Sequence, residues 1–166
     1  FQIFYGNLYY RISWIVSAFM IGMGFGITSG LRAAKASDVR GLAKIHLGIS
    51  LYFWMLVGLM VSFQKTGLQT TVFGEVFFLG AAVLIGGLVG FEFPYANQLF
   101  LAHEKEISSK AGRMYAADLF GSSLGALLPG IFMIPVFGVL ETIFVLAGVN
   151  FAVGGLLFYL PLQRKG

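Results

Sequence analysis

The chain has 166 residues, 58% of them hydrophobic and 11% charged, with a formal net charge of +4 and a mean hydropathy of +0.86. A soluble domain carries about 25% charged residues, and a surface this apolar does not stay in water, so the composition excludes an ordinary soluble fold and points to lipid as the solvent. There is no cysteine, which removes disulfides, thiolate metal sites and cysteine nucleophiles, and His46 and His103 alone are too few for a histidine metal site.

Five hydrophobic spans follow in chain order, at residues 8–31, 42–63, 71–93, 114–137 and 140–162. Each is long enough to cross a bilayer, which takes about 20 residues at a 1.5 Å rise. None alternates apolar and polar at every second position, as barrel strands do. The pattern predicts an all-α fold, a polytopic transmembrane helix bundle in a single domain over residues 1–166.

The first span opens on FQIFYGNLYYRISW, whose Tyr and Trp suit an interfacial belt. It continues through Gly22, Gly26 and Gly30, a repeated GxxxG seam of the kind that lets two membrane helices approach closely. Gly22-x-Gly24-x-Gly26 has no strand before it and is not a nucleotide loop. The second span has polar groups only at its start, so His46 is expected near the cytoplasmic surface. The third carries Glu75 near its outer end and a second seam, Gly86 and Gly90. It runs into Phe91-Glu92-Phe93-Pro94, where the proline removes a backbone donor and predicts a kink or break. Asn97, just beyond, is expected to satisfy loosened backbone or to touch solute. The connection near residues 100–113 is charged with both signs and reads as a cytoplasmic loop or short surface helix.

The fourth span carries Asp118, read as lying in its first turn, where a negative charge meets the helix dipole favourably or pairs with Lys110 or Arg113. Ala117, Gly121, Gly125 and Pro129 recur at every fourth position, a third small-residue seam. The fifth span has Glu141 near its outer start and Asn150 in its middle.

The basic residues orient the chain. Arg32, Lys35, Arg40, Lys44, Lys105, Lys110, Arg113, Arg164 and Lys165 fall on one side of a five-span topology, and only Arg11 and Lys65 on the other. The positive-inside rule puts the nine in the cytoplasm, the N-terminus outside and the C-terminus inside. The net charge is therefore topological and implies no nucleic-acid partner. The expected location is a bacterial plasma membrane. Without an initiator Met or a signal-peptide pattern, Phe1 is expected to be an internal or processed start.

Glu92 and Asp118 are the candidate chemistry. They fall near the cytoplasmic ends of consecutive antiparallel spans, and the span limits put both within one to two turns of the interface. Carboxylates inside a membrane are costly and mark ion paths or cation sites, and a broken helix beside them is a transporter device. Glu92, Asp118 and Asn97 are thus candidates for binding a solute or cation. At shallow depth the same carboxylates are also explained by headgroup water or a basic neighbour. Gly22, Gly26, Gly30, Gly86, Gly90, Gly121 and Gly125 read as helix-packing positions. No nucleophile–base pair, phosphate loop or metal set is seen, which predicts no catalysis, cofactor or metal on this chain.

GRMYAADLFGSSLGALLPGIFMIPVFGV resembles the signature helix of the spermidine synthase-like membrane proteins, through Tyr115, Ala116, Asp118, Gly121, Leu124, Gly125, Ala126, Leu127, Pro135 and Gly138. GFEFPYANQLF is similar to the segment that precedes it, through Gly90, Glu92, Phe93, Pro94 and Ala96. The opening FQIFYGNLYYRI with FMIGMGFG resembles the family's start. The resemblance implies half of a major-facilitator-type fold, without the aminopropyltransferase domain that many members carry. Such a half has six helices, so it also implies a helix before Phe1 or from a partner.

Two functions are carried forward. One is a transporter-like module that binds or passes a small cationic solute. The other is a non-catalytic subunit of a larger membrane assembly, for example an electron-transfer complex, with its glycine seams against other membrane subunits.

Overall fold

A computed structural model of the chain describes residues 2–36, 38–66, 72–101 and 107–159. Those residues are helical almost throughout, with no strand among them. The long helices are α1 (Gln2–Ala33), α2 (Val39–Thr66), α3 (Val72–Leu101) and α4 (Ile107–Leu127). α4 passes into a π-helical segment (Leu128–Met133), then the short α5 (Ile134–Phe137), and α6 (Val139–Tyr159) follows. Among the described residues five stretches are long and apolar enough to cross a membrane, the fourth being Ala111–Phe137. The protein is an all-α integral membrane protein.

Local signals set several of the helix ends. Asp38 caps α2: its carboxylate accepts the backbone N–H of Gly41 at 2.8 Å, a group that the helix start leaves without an internal partner. Gly138 has φ +99° and makes the turn between α5 and α6. Its carbonyl accepts the Thr142 backbone N–H at 3.2 Å and the Thr142 hydroxyl at 2.7 Å, and Glu141 sits in the first turn of α6, where the dipole favours it.

Pro94 does not break α3. The helix continues for seven residues beyond it, to Leu101. In lipid an opened helix would expose backbone polar groups at several kcal/mol each, and here the ring has space. Pro94 is buried, and a Cβ on Gly30 would come within 2.7 Å of its Cγ. Asn97 accordingly lies inside α3, three residues beyond Pro94 and four before the helix ends.

The chain divides into two compact units, one of Phe1–Lys35 with Gly58–Tyr95, the other of Ala36–Val57 with Ala96–Gly166. In the first unit α1 and α3 meet backbone to backbone. A Cβ on Gly22 would overlap the carbonyl oxygen of Val83, one on Gly26 that of Gly87, one on Gly86 that of Phe19, and one on Gly90 that of Met23. The residue numbers rise together, so the two helices run parallel, as odd-numbered crossings must. Where α2 ends and α3 begins, Phe63 packs edge-on against Phe73 and Phe77, with centroids 5.9 and 4.8 Å away.

In the second unit α2 and α6 run antiparallel. Ala43 and Ala147 are fully buried, and a Cβ on Gly154 would lie 3.1 Å from the Ala43 carbonyl and 3.0 Å from Leu47. The Ser50 hydroxyl donates to the Ala147 carbonyl at 2.8 Å, and Trp54 meets Phe144 edge-on at 5.1 Å.

Gly26→Ala should destabilise the protein by about 1–3 kcal/mol, because the added methyl overlaps backbone that has no room to move. Gly24→Ala, in the same helix but with nothing within 4 Å, should be neutral or stabilising by up to about 1 kcal/mol. Denaturant unfolding in micelles of the two variants checks the contrast.

Candidate functional site

The two candidate carboxylates sit further along their helices than the predicted spans place them. Glu92 is nine residues from the end of α3, about 14 Å at the helical rise. Asp118 is not in a first turn. α4 begins at Ile107, eleven residues earlier, and its first turn holds no acidic residue. The helix extends back through Ser108-Ser109-Lys110-Ala111-Gly112 because nothing in that sequence stops it, so the dipole argument for Asp118 falls away. The connection between the third and fourth crossings is shortened from both ends, and residues 102–106, with His103, Glu104, Lys105 and Glu106, lie outside the described residues.

Glu92 belongs to the first unit and is half-buried. At 100° per residue it stands about 200° round α3 from Gly90, on the side turned away from α1. Asp118 belongs to the second unit and is exposed, with no hydrogen-bond or ion-pair partner among the described residues. Its neighbours Ser122 and Ser123 both turn their hydroxyls onto the Leu119 carbonyl, at 3.0 and 2.8 Å. They satisfy themselves within α4, and Asp118 does not. A Cβ on Gly121 or Gly125 would meet nothing within 4 Å. No residue of the Ala111–Phe137 crossing is buried. Unlike Gly22, Gly26, Gly30, Gly86 and Gly90, these two glycines have nothing against them among the described residues.

The same crossing carries the π-helical segment, closed by the Ile134 N–H donating to the Pro129 carbonyl. Pro129 and Pro135 lie at its two ends, and each lacks a donor and crowds the carbonyl four residues back. A widened turn accommodates both without opening the helix, and such turns recur at functional positions.

Two polar pairs escape a reading of the sequence. His46 is half-buried, with its Nδ1 3.2 Å from Oδ1 of Asn150. Asn150 donates through Nδ2 to the Leu146 carbonyl at 2.9 Å, which leaves Oδ1 as an acceptor and assigns the proton to His46 Nδ1. Arg11 and Glu75 form an ion pair at 2.8 Å, both side chains more than half exposed. Each pair joins residues that span prediction treats separately. The available signal was that each pair holds complementary polar groups at matching heights on two apolar spans.

Among the described residues no three His, Asp or Glu side chains gather as metal ligands would. No family model, curated protein or solved structure matches this chain.

A hydrogen bond between membrane helices contributes about 0.6 kcal/mol on average and up to about 1.7. His46→Leu and Asn150→Leu should therefore couple by that amount in a double-mutant unfolding cycle in micelles. Strict additivity would mean that the pair does not hold α2 on α6.

Proposed function

We propose that this chain is a non-catalytic integral subunit of a larger membrane assembly, and that the open face of α4 receives a transmembrane helix from another subunit. The observation that carries this reading is the bare fourth crossing. Small residues at every fourth position serve close helix approach, and at Gly121 and Gly125 the approach is vacant. A carboxylate facing lipid on a transmembrane helix costs about 2.5–3.5 kcal/mol near the centre, and a partner that supplies a donor to Asp118 removes that cost. The reading takes the cationic helix ends as cytoplasmic, with the N-terminus outside. Cysteine placed at Arg40 should then be labelled only from the cytoplasmic side and at Lys65 only from outside.

The double variant Gly121→Leu with Gly125→Leu should leave the stability of the isolated chain unchanged, because nothing within 4 Å resists the new side chains. It should abolish co-purification of partner subunits from native membranes. A complex that survives in the variant overturns the reading.

A transporter-like module for a small cationic solute is the second reading. The half-buried Glu92, the proline-flanked π-helical turn and the likeness of the fourth span to spermidine synthase-like membrane proteins favour it. Under it, Glu92→Gln or Asp118→Asn abolishes uptake of a labelled polyamine into proteoliposomes while assembly persists. Equal uptake by both variants and the parent removes it.

A further inference from the structure

A groove of about 440 Å³ opens between the N-terminal parts of α1 and α3, lined by Tyr10, Arg11, Trp14, Ile15, Glu75, Phe78 and Leu79. Its chemistry is graded along the helix axis. Arg11 and Glu75 stand at one level. Ile15 and Leu79 are each four residues further on, one helical turn of about 5.4 Å deeper. Trp14 and Phe78 share that deeper level, and Tyr10 stacks edge-on with Trp14 at 5.8 Å. A charge pair at the mouth, tyrosine beside it and apolar walls of Trp14, Ile15, Phe78 and Leu79 below reproduce the polarity profile of a lipid from headgroup to chain. The mouth is not closed by its own ion pair. Arg11 has five N–H donors in a fork that suits phosphate, and its side chain is 68% exposed.

We propose that this groove binds one phospholipid with an ethanolamine headgroup. The lipid phosphate lies on Arg11, its ammonium donates to Glu75, and an acyl chain runs over Trp14, Ile15, Phe78 and Leu79. Charge complementarity selects this occupant. A zwitterion places one charge on each member of the pair. A glycerol-type anionic headgroup would leave Glu75 without a partner cation, and a choline headgroup has no N–H to donate to it.

The site reports on itself, since Trp14 lies in it and the chain has two tryptophans. With Trp54→Phe as background, Trp14 fluorescence is measured in vesicles of equal phosphatidylethanolamine and phosphatidylcholine, with bromine on the acyl chains of one or the other. Quenching by the brominated ethanolamine lipid should correspond to about threefold preferential occupancy, the size of an exposed charge contact. In Glu75→Gln and in Arg11→Gln the ratio should fall to one, while quenching in fully brominated vesicles stays as in the parent because Trp14 still faces lipid. A ratio of one in the Trp54→Phe parent needs no further variant to overturn the site. Preference for choline lipid, stronger quenching by the brominated glycerol lipid when phosphatidylglycerol replaces phosphatidylcholine in the vesicles, or an undiminished ratio in Glu75→Gln overturns it as well.

Discussion

Two apolar helices in a bilayer gain nothing by exchanging lipid for each other, because a lipid tail is as apolar as leucine. Whatever joins them has to come from close packing or from polar contacts. This protein uses one device in each of its units. Between α1 and α3 the side chains are removed: glycines at every fourth position bring carbonyls of one helix onto the Cα atoms of the other. The gain is many short dispersion contacts, each worth about 0.1–0.2 kcal/mol, gathered over three to four turns. That sum is lost if one methyl holds the helices apart, so the seam is intolerant at every position.

Between α2 and α6 the device is mixed. Ala43, Ala147 and Gly154 allow approach, and the Ser50–Ala147 and His46–Asn150 hydrogen bonds fix which turn meets which. A small-residue seam alone repeats every four residues and tolerates a slip of one turn. A hydrogen bond between two singular residues does not repeat, and so it specifies register. The contacts advance in opposite directions along the two helices, from Gly154 against Ala43 to Phe144 against Trp54. The polar pairs lie between those limits, where a slip would separate both.

The five crossings and the glycine seams are legible in the sequence because both are periodic, and a period survives without knowledge of neighbours. Helix ends are less so. Hydropathy marks where lipid begins, whereas a helix continues until its backbone is stopped: α3 runs on through Asn97 and Gln98, and α4 reaches back through Arg113 and Lys110. Asp118 was misplaced within its helix for that reason. Pro94 shows the opposite error. Its local rule predicts a kink or break, yet α3 continues to Leu101, and Gly30 only leaves room for the buried ring against α1. For Arg11–Glu75 and His46–Asn150 the sequence shows only complementary polar groups on two apolar spans, and the pairing itself follows once the register between the helices is fixed. That register is a tertiary quantity.

The fourth crossing stands apart from the other four on the same physics. It has small residues like those of α1 with nothing within 4 Å of them among the described residues, and a carboxylate that its own serines leave alone. A helix designed to face lipid has no use for either feature. Leucine would fill the seam at no cost in helix propensity, and glycine at Gly121 and Gly125 costs about 1 kcal/mol each relative to alanine. Two prolines add further strain, absorbed by a widened turn. These costs fall on one stretch of helix, Ala111–Phe137, none of whose residues is buried. Under the proposed subunit reading, a partner helix on the side of α4 that carries Gly121 and Gly125 would offset them, because close approach there meets no atom within 4 Å.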